Sequence, residues 1–350
     1  MSHVTTIGLC HSYSGAMRVP LITRRRFLQG SVAVAGLGTL AGGGLPALRA
    51  QQPKVIRLGF LGPSFADTWD EALPEALREL GYIEGQNFTI EYRRAGGQLD
   101  RLPALADELV RLRVDAIITA GTNPARAAKA ATSTIPIVMV FGSDPVGTGL
   151  VQSLARPGGN VTGFINLAPE LGAKRLELLK EAIPAISRVA VLTNASAPTG
   201  PPQWKEAERA ARLIGIQAQL IEVRSGDELS GAIEAAGPDG RGALLVVEDA
   251  LFTIRRAELI DLATRARLPA IYANGEIVRS GGLMSYGPNF PDQYQRAAVY
   301  LDRIFKGAKP ADLPVQQPSR FDFLVNLKAA QAIGLTIPDS VLTQATEVFQ

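Results

Sequence analysis

From residue 54 to the C terminus short apolar segments alternate with amphipathic ones, and the series runs through twice. Val55–Leu61 is apolar and passes into Gly62-Pro63-Ser64, a strand followed by a loop; Asp67–Leu80 has helical spacing and stops at Gly81. Phe88–Arg93 alternates as a strand, and Leu99, Leu102, Leu105, Leu109 and Leu112 fall on one helical face. Val114–Ala120, the small-residue helix Pro124–Thr132 and the strand Ile135–Phe141 close the first series. Strands separated by helices of about 10–15 residues form βαβ units, so the sheet they build is parallel and covered on both faces.

The second series is Arg188–Thr193, Gln203–Leu213, Ile216–Val223, Glu228–Ala236, Ala243–Val247, Thr253–Ala266 and Pro269–Tyr272, read as strand, helix, strand, helix, strand, helix, strand. Gly/Pro-rich breaks at Arg156–Gly163, Ser280–Pro288 and Lys309–Pro318 suggest several crossings between the series. The expected architecture is α/β: two doubly wound parallel-sheet lobes closing as a clamshell. Lobe 1 is expected to hold residues 54–163 with about 288–317, and lobe 2 residues 164–287 with about 318–350. Hinges are expected at Asn160–Ile165, Met284–Gly287 and Val315–Arg320, where extended chain can absorb rotation.

Residues 1–50 read as a leader. Thr23-Arg24-Arg25-Arg26-Phe27-Leu28-Gln29 precedes a weakly apolar, Gly/Ala-rich run, the pattern of a twin-arginine (Tat-type) export signal, with cleavage expected after Ala50. The five arginines of this segment face no acidic residue; without them 31 basic residues stand against 33 acidic ones, so the basic balance belongs to the leader. No clustered basic face remains, and nucleic acid is not an expected partner. His3, His11 and Cys10 are the only histidines and cysteine, and all precede residue 51. The exported chain is therefore expected to lack an imidazole, a thiol or a disulfide, which excludes Ser–His–Asp, Cys–His and His-ligated zinc chemistry.

In open parallel sheets ligands bind at the carboxyl ends of strands. The loops expected there carry Ser64, Thr122, Asn123 and Asp144 in the first lobe, and Asn194, Asp249 and Glu276 in the second. Thr122 or Asn123 ahead of Pro124 reads as a helix start whose free N–H groups suit a carboxylate. Asp144, Asp249 and Glu276 suit an ammonium, and the set predicts a dipolar ligand. Tyr272 and Tyr286 are expected mainly in the core, with ring stacking on the ligand as the other role. There is no Gly-x-Ser-x-Gly or Gly-x-x-x-x-Gly-Lys-Ser/Thr motif. Glu248 and Asp249 are expected to point opposite ways on extended chain, so no catalytic pair is assigned.

Phe141-Gly142-Ser143-Asp144-Pro145-Val146-Gly147-Thr148-Gly149-Leu150-Val151, followed by Leu154–Gly163, Lys174–Glu181, Gly281–Pro288, Lys306–Val315 and Asn326–Pro338, resembles the periplasmic substrate-binding proteins of the ABC-transporter "ABC substrate-binding" family, the tryptophan-transporter-like group. The resemblance departs at Thr193–Pro202, a cleft loop that is shorter and richer in proline. It implies a type I periplasmic-binding-protein clamshell, no enzymatic activity and no cofactor. The implied partners are a small solute, amino-acid-like or another carboxylate, and an ABC permease in the inner membrane. A ligand-sensing subunit signalling to a membrane receptor is the alternative.

Overall fold

A computed structural model of the chain describes residues 55–63, 71–166, 170–197, 199–237 and 242–350. The export signal, the cleavage site and Ser64 lie outside these residues. Five strands form the first sheet: β1 (Ile56–Gly62), β2 (Phe88–Arg94), β3 (Ala116–Ala120), β4 (Ile137–Gly142) and β5 (Val161–Ile165). Their order is β2-β1-β3-β4-β5 and all neighbours are parallel. Both faces are buried, as the period of two requires. Leu58, Ile118, Val138 and Val140 pack into one apolar cluster, while Leu61, Ile117, Ile137 and Met139 enter another on the opposite face. Helices α1 (Ala72–Glu79), α2 (Leu102–Arg111) and α3 (Thr122–Ala131) connect the strands.

The second sheet contains β6 (Arg188–Asn194), β7 (Gln217–Val223), β8 (Gly242–Val246), β9 (Ala270–Tyr272), β10 (Met284–Pro288), β11 (Phe321–Asn326) and β12 (Glu347–Phe349). In the order β12-β11-β10-β9-β8-β6-β7, the last five repeat the arrangement of the first sheet. Here β11 runs antiparallel to β10, so this sheet is not wholly parallel. Helices α4 (Gly172–Ala182), α5 (Gly200–Leu213), α6 (Leu229–Ala236), α7 (Ala250–Ile254), α8 (Arg256–Arg265) and α9 (Gly275–Arg279) belong to this part. Next, α10 (Phe290–Phe305) returns to pack on α1, β4 and β5, before α11 (Leu327–Ala332) and α12 (Asp339–Leu342) end the chain. The sequence reading lacks α4, α9 and β12, takes β10, a strand paired with both β9 and β11, for a Gly-rich break and hinge, and joins α7 and α8, which part at Arg255.

The stretch Arg156–Gly163, expected as a crossing, ends inside β5, which is buried along its length. Gly163 has φ of +134°, and a Cβ there would overlap the carbonyl oxygen of Met139 on β4. The glycine marks a close approach of two strands rather than a break. The chain leaves the first sheet only after Ile165. It returns after Pro288 and leaves again near Gln316, whose backbone pairs with β5 through Ile165 N–H to Gln316 O (3.0 Å) and Gln316 N–H to Gly163 O (2.9 Å).

Arg296 of α10 holds these segments side by side. Its Nη1 donates to Gln317 O (3.1 Å) and Ser319 Oγ (3.3 Å), its Nη2 donates to Gln316 Oε1, and its guanidinium lies 4.9 Å from the ring centre of Phe164. Asn289, at the second crossing, donates from Nδ2 to both carboxylate oxygens of Asp322 (3.1 and 3.0 Å).

Gly163→Ala is expected to lower the unfolding free energy by about 3 kcal/mol, from strain at positive φ together with the overlap on Met139. The shift of a chemical denaturation midpoint measures it; a cost well below about 1 kcal/mol would mean that β4 and β5 can separate without loss.

Candidate functional site

The carboxyl ends of both sheets face a cleft of about 940 Å³, part of it open to solvent. Pro63, Gly121–Pro124, Phe141, Ser143 and Asn166 line it from the first sheet, with Phe290 and Tyr294 of α10. Ala197, Thr199, Glu248–Ala250, Thr253, Ile254 and Asn274 line it from the second.

On the first side the helix start is the principal polar feature. The N-cap is Gly121, at φ +98°, and α3 begins at Thr122, so Pro124 is its third residue rather than its first. The Thr122 hydroxyl accepts a bond from Ser143 N–H (2.9 Å), tying the loops after β3 and β4 together. Thr122 and Asn123 both reach the cleft, as expected. Their N–H groups belong to the first turn, which has no intrahelical acceptor. Backbone donors and the positive end of the helix dipole therefore form an anion-accepting surface.

Aromatic side chains flank it. Between Met139 and Gly142 the β4–β5 register slips, a bulge, and within it Phe141 has φ of +61°. A bulged strand re-aims its side chains. Phe141 thereby packs on Phe290, ring centres 4.1 Å apart, and edge-on to Tyr294 at 5.1 Å. The buried Gln293 holds this geometry: its Oε1 accepts from Phe141 N–H (3.3 Å) and its Nε2 donates to Ile165 O (3.3 Å). Sequence reasoning missed this trio, because β4 reads as an uninterrupted apolar strand. The aromatic residues it did consider lie elsewhere: Tyr272 is in the core, and Tyr286 stacks on Phe321.

The second side carries the acids. Asp249 caps α7, and its Oδ1 accepts from Leu251 N–H (2.9 Å) and from Asn194 Nδ2 (3.0 Å). Among the described residues nothing bonds its Oδ2. Burial raises the Asp249 pKa above the usual carboxylate range, against the pull of those bonds. Glu248 lines the cleft beside it; β8 ends at Val246, so the two acids follow the strand and precede α7.

Gln203 of α5 clamps the Glu248 backbone, accepting from its N–H (2.9 Å) and donating to its carbonyl (3.0 Å). Burial is the main cause that pushes the Glu248 pKa up to about 7; Asp249 adds to it and Arg175 opposes it. Arg175, 1% exposed within α4, donates from Nε to Tyr286 O (2.7 Å). Its pKa falls to about 10, chiefly through burial, offset by the charge of Glu248. Leucines 176, 178 and 179 around it are buried too; the one cue in the sequence is an arginine among core positions.

Three expected site residues fall outside the lining. Asp144 is exposed at φ +42° in a tight turn, where its Oδ1 accepts from Gly147 N–H (2.8 Å), and it borders a separate groove. Asn194 is buried behind Asp249 and orients it. Glu276 is buried in the first turn of α9, and the neighbouring Asn274 reaches the cleft instead. Among the described residues the ionisable side chains of the lining are Glu248, Asp249 and Tyr294.

The family of ABC transporter substrate binding proteins matches residues 62–349. The chain belongs to this family. A tyrosine-binding protein of Clostridioides difficile is 26% identical over 265 residues, 75% of each chain. Among solved structures, an ABC domain in complex with L-Trp from Streptococcus pneumoniae superposes with a TM-score of 0.78 at 26% identity, covering 84% of this substrate-binding protein and 99% of that chain. The ligand-free, open structure of a substrate-binding protein with adhesive properties from Clostridium difficile gives 0.65 at 25% identity, covering 85% and 99%.

Arg175→Met alone should cost about 3–5 kcal/mol, since it leaves a buried carboxylate without its counter-charge; adding Glu248→Gln should restore most of it. Denaturation of the two single variants and the double variant measures the coupling. Additive losses would show that the charges do not interact.

Proposed function

We propose that this chain is the exported, periplasmic solute-binding component of an ABC importer, and that its solute is an amino acid with an aromatic side chain. The observation that carries the reading is the division of charge in the cleft. Its first side offers N–H donors at the start of α3, and its second side offers carboxylates. A purely anionic ligand would be repelled by Asp249 and Glu248, whereas a zwitterion satisfies both sides. The α-carboxylate lies at Thr122 and Asn123, the ammonium at Asp249 Oδ2, and the ring against Phe141, Phe290 and Tyr294.

The tyrosine-binding relative and the L-Trp complex support this solute class. Because each end of the ligand is held by a different lobe, binding favours closure, and closure presents the surface that a permease reads. Export through the twin-arginine leader, with a mature start near Gln51, completes the proposal.

Calorimetry with L-tryptophan and L-tyrosine tests it. Both should bind, while N-acetyl-tryptophan and tryptamine, each lacking one charge, should bind at least tenfold more weakly. Asp249→Asn should cost about 1.5–3 kcal/mol, the range for a hydrogen bond to a charged group. Phe141→Ala should reduce the preference for aromatic over aliphatic amino acids. Equal affinity for tryptophan and its N-acetyl derivative would sink the zwitterion reading.

A further inference from the structure

The two sides of the cleft also touch each other directly. Where β2 ends, Ala95–Gln98 forms a tight turn closed by Gln98 N–H to Ala95 O (3.1 Å). Its central residues, Gly96 and Gly97, have φ of +62° and +85°, a mirror-image turn that glycine adopts without strain. The turn is fixed to the first sheet: Ala95 N–H donates to Gly62 O (3.0 Å), and Gly97 N–H to the carbonyl of the cleft residue Pro63 (2.9 Å). Facing Gly97 from the second side is Ile254, the last residue of α7. A Cβ on Gly97 would lie 3.2 Å from Ile254 Cγ2 and 3.7 Å from its Cδ1, so the isoleucine rests on the bare backbone of the turn. On its own side that isoleucine is firmly held. Asp249 caps α7, Phe252 anchors the helix in the core of the second sheet, and Thr253 Oγ1 accepts from Asn274 Nδ2 (3.2 Å). Being β-branched, Ile254 is also stiff at χ1. One short helix thus carries, at its start, a carboxylate of the cleft and, at its end, the side chain that meets the opposite lobe.

We propose that Ile254 is the positioning residue for closure: seated on Gly97, it sets how closely the two lobes approach around the solute. This rests on the reading that the lobes close on a solute, and not on which solute it is. Gly97 serves the contact by having no side chain, since a Cβ there would press on Ile254 before the lobes had met. The contact is small, one branched side chain on one glycine. It contributes little until a solute has drawn the lobes together, and then it holds the closed form. Obstructing it lowers the fraction of the protein that can close, and apparent affinity falls in proportion. Because Gly97 stands outside the lining of the cleft, a change there reaches the solute only through closure.

A cysteine pair reads the contact without a ligand. Gly97→Cys with Ile254→Cys, in the full chain carrying Cys10→Ser, should form a disulfide under mild oxidation, and saturating L-tryptophan should speed its formation. Calorimetry and stopped-flow binding of L-tryptophan and L-tyrosine read the role. Gly97→Ala should weaken both by roughly tenfold and by the same factor, through faster dissociation. Adding Ile254→Ala should recover most of that loss, which strain confined to the turn would not allow. A folded cysteine pair that does not crosslink, with or without ligand, overturns the contact. Crosslinking that bound ligand does not speed, wild-type affinity in Gly97→Ala, or a loss that Ile254→Ala leaves unchanged overturns the role in closure. Should Gly97→Ala not fold, the response of crosslinking to ligand decides alone. If wild type binds neither amino acid while the cysteine pair crosslinks, the solute class is overturned and the contact stands.

Discussion

The bulge at the end of β4 is the constraint on which the cleft depends. At Phe141 the backbone adopts a positive φ that a bulky side chain adopts only when its surroundings enforce it. Here they do so from two directions. Gln293 of α10 bonds the displaced Phe141 N–H and the carbonyl of Ile165 at the end of β5. Gly163 lets β5 approach Met139 more closely than any residue with a Cβ could. The same few residues thus turn an aromatic ring into the cleft, end the first sheet and set the direction in which the chain crosses to the second.

Charge is divided between the two sides by means that differ in cost. The first side uses backbone N–H groups, which a helix start leaves unpaired in any case, and needs no buried ion. The second side uses carboxylates that burial disfavours, and it compensates them from behind with Arg175, itself depressed by burial and anchored on Tyr286 O. Because Tyr286 lies on β10, the strand that leads to the second crossing, the cleft acids and the connection between lobes share one buried cation. The other connection is held by Arg296 on Gln316, Gln317 and Ser319.

Much of this architecture is legible in the sequence because burial inside each lobe is periodic. Leu58, Ile118 and Val138 must share one face, and Leu61, Ile117 and Met139 the other, whatever the rest of the molecule does. The repeat of strand and helix determined two parallel-sheet units. The rule that ligands bind at strand ends brought Thr122, Asn123 and Asp249 to the cleft by local reasoning alone. The break at Arg156–Gly163 misled because glycine serves both turns and close strand contacts, and only the partner strand distinguishes them.

Tertiary structure decided which side chains complete the site. Asp144 and Glu248 both follow strand ends, but a tight turn carries the first out to solvent, and a helix cap brings the second inward beside Asp249. Phe290 and Tyr294 lie some 150 residues from Phe141 in the chain; the sequence reading assigns about 288–317 to the first lobe, but nothing local records that these two rings meet Phe141 at the cleft. Arg175 lies in a stretch that the sequence reading assigns to no element, and only β10 supplies its carbonyl partner. Periodicity encodes which face of an element is buried, and so it determined the lobes. A cleft is defined by how two such lobes meet, and that depends on long-range contacts for which the pattern of neighbouring residues has no signal.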